Sequence, residues 1–161
     1  MTGKVAERQD AVKDRGPAAE AFSALVVQVL KLAGLLEAAG NALAAPAAQS
    51  AARWQVLAAA DHQPMTVATI ARALSLARQS VQRVADLLVA DGLAEYQDNP
   101  VHRRAKLLSL TEPGTIALRT IQAAQAGWAQ RTAAGLDPDQ LDTARATITR
   151  LVERLQGEES P

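Results

Sequence analysis

Two short stretches of this chain carry side chains of the kind that read or grip a polyanion. The first is Arg78-Gln79-Ser80-Val81-Gln82-Arg83. Gln and Arg carry paired hydrogen-bonding groups that match the edges of adenine and guanine. Arg78 and Ser80 fall where the first turn of a helix would expose amide groups to phosphate. The second stretch is Asp98-Asn-Pro-Val-His-Arg-Arg104, an Asn-Pro turn that leads through His102, Arg103 and Arg104 to Lys106. Arginine on an extended arm suits the narrow, strongly negative minor groove of A·T-rich duplexes. Taken alone, Gln79, Gln82 and Arg83 describe any solvated helix face, and adjacent arginines on a turn describe a solubility feature. The elements that hold these residues select between the two readings.

Residues 67–74 have helical spacing, and Ser75-Leu76-Ala77 breaks them from a second helix running from Arg78 to about Ala90. In that second helix Val81, Val84, Ala85 and Leu88 share one face, and Gln79, Gln82, Arg83 and Asp86 the opposite one. The apolar set predicts packing against Ile70 and Leu74. Asp91-Gly92 is a turn signal, and the runs 93–97 and 105–110 flank the basic tip as the two strands of a hairpin. Helix, tight turn, helix and hairpin is the order of a winged helix-turn-helix, whose second helix enters the major groove of DNA. The fold expected is therefore mostly α, with a small β-hairpin wing and flanking helices at both ends.

Five segments then carry a resemblance. Trp54-Gln-Val-Leu57, Met65-Thr-Val-Ala-Thr-Ile-Ala71, Gln79-Ser-Val-Gln-Arg-Val84, Leu87-Leu-Val-Ala-Asp-Gly-Leu93 and Arg103-Arg-Ala-Lys-Leu-Leu-Ser-Leu-Thr111 together resemble the MarR family of bacterial transcription regulators, most strongly over residues 51–115. The resemblance implies a homodimeric winged-helix repressor or activator bound to a double-stranded DNA operator, often released by a small molecule. It also implies an effector crevice between the dimer helices and the winged domain, lined near Phe22, Arg53 and Trp54. There Trp54 would stack an aromatic effector and Arg53 would pair a carboxylate. The alternative is that Trp54 is a core residue and Arg53 a surface charge.

The chain departs from the family at two positions. The family's wing carries Asp-x-Arg, with the aspartate bracing the arginine, and alignment on Thr111 places His102 at the Asp and Arg104 at the Arg. His102 cannot act as an anionic brace and reads instead as a further basic contact. Ala77 stands where a Ser or Thr would cap the recognition helix, a loss of about 1 kcal/mol.

Composition sets outer bounds. With 161 residues the chain is long enough for one domain with a sizeable core, and the absence of cysteine excludes disulfides, thiolate metal sites and thiol switches. The first fifteen residues are polar and lack a signal-peptide core, no membrane span is expected, and the location expected is cytoplasmic. The net charge of zero argues against a non-specific DNA packager. The cations instead cluster on the proposed contact elements, while Glu153, Glu158 and Glu159 sit at the far end. No Gly-rich phosphate loop, nucleophile motif or metal-ligand spacing is found, and His62 and His102 both fall in expected loops. Neither catalysis nor a cofactor is expected. The rival reading is a winged-helix protein-interaction module, which would have no need of the basic wing.

The flanks read as a dimer frame. Phe22, Leu25, Val26, Val29, Leu32, Ala33 and Leu36 repeat at helical spacing over residues 18–39, with Gly40-Asn41 as the expected stop. A helix over 51–60 and the loop 61–64 lead to Thr66, a plausible N-cap. After the wing, Thr111 caps a helix that Gly135 ends, and Asp137 caps a last one striped by Leu141, Ala144, Ile148, Leu151, Val152 and Leu155. The organisation expected is an N-terminal segment (1–17), a dimerisation helix and connector (18–50), the DNA-binding domain (51–111) and C-terminal dimerisation helices (112–161).

Overall fold

The computed structural model describes residues 16–102 and 104–158. Arg103, Glu159 and the polar segment ending at Arg15 lie outside them. In chain order come α1 (Pro17–Ala44), a 3-10 turn (Ala45–Ala47), α2 (Ala51–Asp61), β1 (Met65–Thr66), α3 (Val67–Ala73), α4 (Arg78–Ala90), β2 (Ala94–Gln97), β3 (Leu107–Leu110), α5 (Glu112–Ala133) and α6 (Pro138–Glu158). The chain divides into two compact units, with the boundary between Ile121 and Gln122.

The first unit is the winged helix, a mostly helical fold with a small antiparallel sheet. The sheet has the order β1-β3-β2, pairing Met65 with Leu108 and Tyr96 with Leu108 on its two sides. The hairpin was legible, but its strands are shorter than the runs read from the sequence, and β1 is an addition. The core gathers Val56 and Leu57 of α2, Ile70 of α3, Val81, Ala85 and Leu88 of α4, Leu108 of β3 and Leu118 of α5. Leu74 and Val84 pack against it half-buried, so the apolar face read from 3.6-residue spacing is the face that is buried.

Backbone capping explains the tight turns. At the end of α3 the Leu76 and Ser75 amides donate to the Ala71 and Arg72 carbonyls, with Ser75 in the left-handed region at φ 53°. The end of α4 repeats the pattern, with Gly92 at φ 72° and the Leu93 amide donating to Leu88. Thr111 then closes the wing. Its hydroxyl donates to the Gly92 carbonyl at 2.7 Å, its amide donates to the Leu93 carbonyl at 3.2 Å, and its Oγ1 accepts from the Gly114 amide as the cap of α5. Gly114 is buried so tightly against the Leu93 carbonyl that a Cβ there would overlap it.

One boundary differs from the sequence reading. α1 does not stop at Gly40-Asn41 but continues to Ala44. Gly40 is the point of closest approach to α2, where an added Cβ would lie 3.0 Å from the Ala51 Cβ. Asn41 turns its Oδ1 to accept from the Ala51 amide at 2.8 Å. Both residues therefore serve a neighbouring helix rather than ending their own. Contrary to expectation, the helical stretch Pro17–Ala47 contains an 18-residue window with a mean hydropathy of 1.6 and is long and apolar enough to cross a membrane by length and composition. Its many Leu, Val and Ala residues outweigh Glu20, Lys31 and Glu37.

The second unit begins inside α5 and contains α6. Gly135 turns the chain at φ 81°, and Asp137 Oδ1 accepts from the Asp139 amide at the start of α6. Leu141, Ile148, Val152 and Leu155 are exposed along that helix, and Leu151 is half-buried.

Candidate nucleic-acid interface

The recognition segment begins at Ala77, which supplies no side-chain cap to α4. The first turn, which exposes Arg78, Gln79 and Ser80, therefore starts without a cap from the residue at its N-terminal boundary. The strong segregation of apolar and polar residues along α4 seats Val81, Ala85 and Leu88 inward and turns Gln79, Arg83 and Asp86 to solvent, with Gln82 half-buried between them.

Beside α4 lies a cleft of about 230 Å³ whose walls bring the two sequence-predicted basic groups together. Arg78 and Gln82 line it from α4, Arg104 and Lys106 from the segment before β3, Tyr96 from β2 and Val67 from the start of α3. Gln79, Gln82, Arg83 and Asp86 border a second, open concavity along the outer side of α4. His102 is exposed at the wing tip. The tip is shaped by Asn99, whose Oδ1 accepts from the Val101 and His102 amides at 3.0 and 3.2 Å. This Asx turn needs no charge, so the backbone of the tip is organised without an aspartate at 102.

Sequence reasoning missed the polar ring that joins helix to wing. Gln82 Nε2 donates to the Tyr96 hydroxyl at 2.7 Å and to Asp86 Oδ1 at 2.9 Å, and the Tyr96 hydroxyl donates to the same Oδ1 at 2.7 Å. Burial pushes the Tyr96 phenol up to about 12, and its hydrogen bond to the Asp86 carboxylate and that carboxylate's charge push the same way. Tyr96 is the one tyrosine in the chain. A tyrosine on a hairpin strand beside a Gln/Asp helix face was the available signal.

The residues named for an effector crevice lie on α1 and α2. Arg53, on α2, pairs with Asp91 at the end of α4 at 2.6 Å, and its buried Nε has no partner among the described residues. Trp54 packs half-buried against the winged core. Phe22 stands exposed on α1.

Comparison with known proteins agrees with this architecture. A family model described as MarR family matches residues 50–105, the span from the cap of α2 to the loop just before β3. An uncharacterized protein of Mycobacterium tuberculosis is 41% identical over 134 residues, which covers 83% of this chain and 94% of that protein. The crystal structure of CouR from Rhodococcus jostii, bound to p-coumaroyl-CoA, superposes with a TM-score of 0.73 at 21% identity, covering 79% of this chain and 90% of that one. The M. tuberculosis transcriptional regulator MOSR, solved in complex with DNA, gives a TM-score of 0.68 at 19% identity over 81% of this chain and 96% of its own. These structures share the fold, as does SlyA, a solved transcriptional regulator that superposes with a TM-score of 0.75 at 16% identity over 83% of this chain and 95% of its own. With the family's model lying on the helix-turn-helix itself and a relative matched along most of the chain, this protein belongs to the MarR family.

Proposed function

We propose that this chain is a sequence-specific transcription regulator that binds a pseudo-palindromic operator as an isologous homodimer. The observation that carries the reading is the cleft where Arg78 and Gln82 of α4 meet Arg104 and Lys106 of the wing. A helix that presents Gln and Arg matches the major groove, and the basic wing beside it matches phosphate and the adjoining minor groove. Such an arrangement serves duplex DNA better than a protein partner. That a structural neighbour was solved with DNA supports the same use of the fold.

The dimer is proposed from exposure. Phe22, Val26, Val29, Leu32 and Leu36 form one stripe of α1, and Leu141, Ile148, Val152 and Leu155 another on α6, all exposed in the single chain. Exposed apolar surface of this extent marks an association site, and a twofold pair would set two recognition helices about ten base pairs apart. A bound dimer denies the same duplex to other proteins, which makes repression the simplest outcome, and cytoplasmic action follows from it. An aromatic or carboxylate effector is proposed near α2, where a competing carboxylate at Arg53 would release Asp91 and the end of α4.

The test is selection of bound duplexes from a random pool by the purified protein, followed by affinity across a salt series. The expected result is an enriched inverted repeat whose affinity falls steeply with salt. Arg104→Ala should flatten that slope by about one phosphate contact. No enrichment, with weak binding or none, would move the assignment to a protein-interaction module.

A further inference from the structure

We propose that Tyr96 and Asp86 fix the amide of Gln82 so that the recognition helix offers acceptors to the major groove and selects a cytosine in the operator. This inference rests on the DNA-binding reading above and makes it specific.

The argument is a count of hydrogens and lone pairs. A glutamine amide nitrogen carries two hydrogens, and here one goes to the Tyr96 hydroxyl and the other to Asp86 Oδ1. The Tyr96 hydroxyl spends its own hydrogen on Asp86. An ionised carboxylate only accepts, so turning the amide over would press Gln82 Oε1 against a carboxylate oxygen. The network, not the side chain's intrinsic symmetry, decides which way the amide points. Tyr96 is a dependable donor, since burial and the neighbouring carboxylate keep its phenol protonated far above neutral pH.

Two atoms remain without a donor among the described residues, Gln82 Oε1 and Asp86 Oδ2. Both belong to residues that border the open concavity of α4. In the major groove cytosine offers only its N4 amino donor, adenine offers one donor and one acceptor, and guanine and thymine offer acceptors. A surface of acceptors therefore favours cytosine, tolerates adenine and opposes guanine and thymine. The usual two-bond reading of adenine by glutamine needs the amide hydrogens that Tyr96 and Asp86 have taken. Tyr96 is on this account a positioning residue, acting through Gln82 from fourteen residues away.

The test compares the full-length protein with Tyr96→Phe, which keeps the aromatic ring and removes only the hydroxyl. Each is taken through selection from a random duplex pool, then through binding to a panel of single-base changes in the selected site. The base pair read by Gln82 is the one whose preference changes in Gln82→Ala. At that position the wild type should prefer cytosine over guanine or thymine by about tenfold or more. Tyr96→Phe should flatten the preference there, raise adenine to the level of cytosine or above, and leave the other positions as they were. The double variant should add nothing to Gln82→Ala at that position. A Tyr96→Phe protein with the wild-type preference would overturn the proposal, as would a uniform loss at every position or a wild type that prefers adenine there. Should the wild type enrich no sequence at all, the DNA-binding reading fails and this one fails with it.

Discussion

Helices α4 and α6 both carry an apolar stripe, and they treat it in opposite ways. α4 places Val81, Ala85 and Leu88 in the winged core, whereas α6 leaves Leu141, Ile148, Val152 and Leu155 exposed. α1 repeats the contrast within one helix. Its last turns bury Gly40 and Ala44, while the stripe from Phe22 to Leu36 is open to solvent. Most helical stability in proteins comes from packing an apolar face against another surface, and these two stripes have none over them in the single chain. The lesson is that α4 covers its apolar face within one chain, while the stripes of α1 and α6 stay exposed in it.

The sharpest way to break this contrast is at Gly114. The Leu93 carbonyl it faces is held by the Thr111 amide, so neither side can retreat from an added methyl group. Gly114→Ala should cost more than about 3 kcal/mol, seen as loss of the cooperative unfolding transition in denaturant. Leu88→Ala comes next. It empties a fully buried site in the core and should cost about 2–5 kcal/mol at any protein concentration. Leu155→Ala, at an exposed site in α6, should act only through association, so its effect on the unfolding midpoint should shrink as the protein is diluted. If Leu155→Ala proves as costly as Leu88→Ala in dilute solution, the contrast between the two regions is wrong.

Two smaller effects sharpen it further. Arg53 and Asp91 join α2 to the end of α4, but the Asp91 side chain is 53% exposed. Asp91→Asn should therefore cost no more than about 1 kcal/mol, read as a small shift of the denaturant midpoint. A further effect concerns alkaline pH. The folded state holds the Tyr96 phenol at about 12 against 10.0 in the unfolded chain, so the folded state binds this proton more tightly. Its contribution is complete below pH 10 and is lost as pH rises toward 12. Stability should decline across that window, and Tyr96→Phe should make the decline shallower.

Much of the fold could be read in advance because it is written in local chemistry. The spacing of Val81, Ala85 and Leu88 marks a buried helix face, and Thr66 and Thr111 cap the helices they precede. What escaped was non-local. Gly40-Asn41 has the composition of a helix stop, and only the approach of Ala51 shows that it is a crossing point. β1 has two residues, too few to display an alternating pattern. Among the candidate contacts, Arg78, Gln82, Arg104 and Lys106 do converge on one cleft. The tyrosine that helps orient Gln82 lies on strand β2, and the partner of Arg53 lies thirty-eight residues away. Charge and residue type advertise a contact, but the direction in which an amide or guanidinium points is set by neighbours that spacing does not reveal.

The cap that Asn41 provides to α2 also makes one amide a reporter of its neighbour. The Ala51 hydrogen is held by a side chain that belongs to α1, so it can exchange with solvent deuterium only when the last turn of α1 loosens or Asn41 swings away. Its exchange rate follows how firmly the end of α1 is anchored. Anything that steadies that helix, a second chain included, should slow a single amide at the doorway of the winged unit.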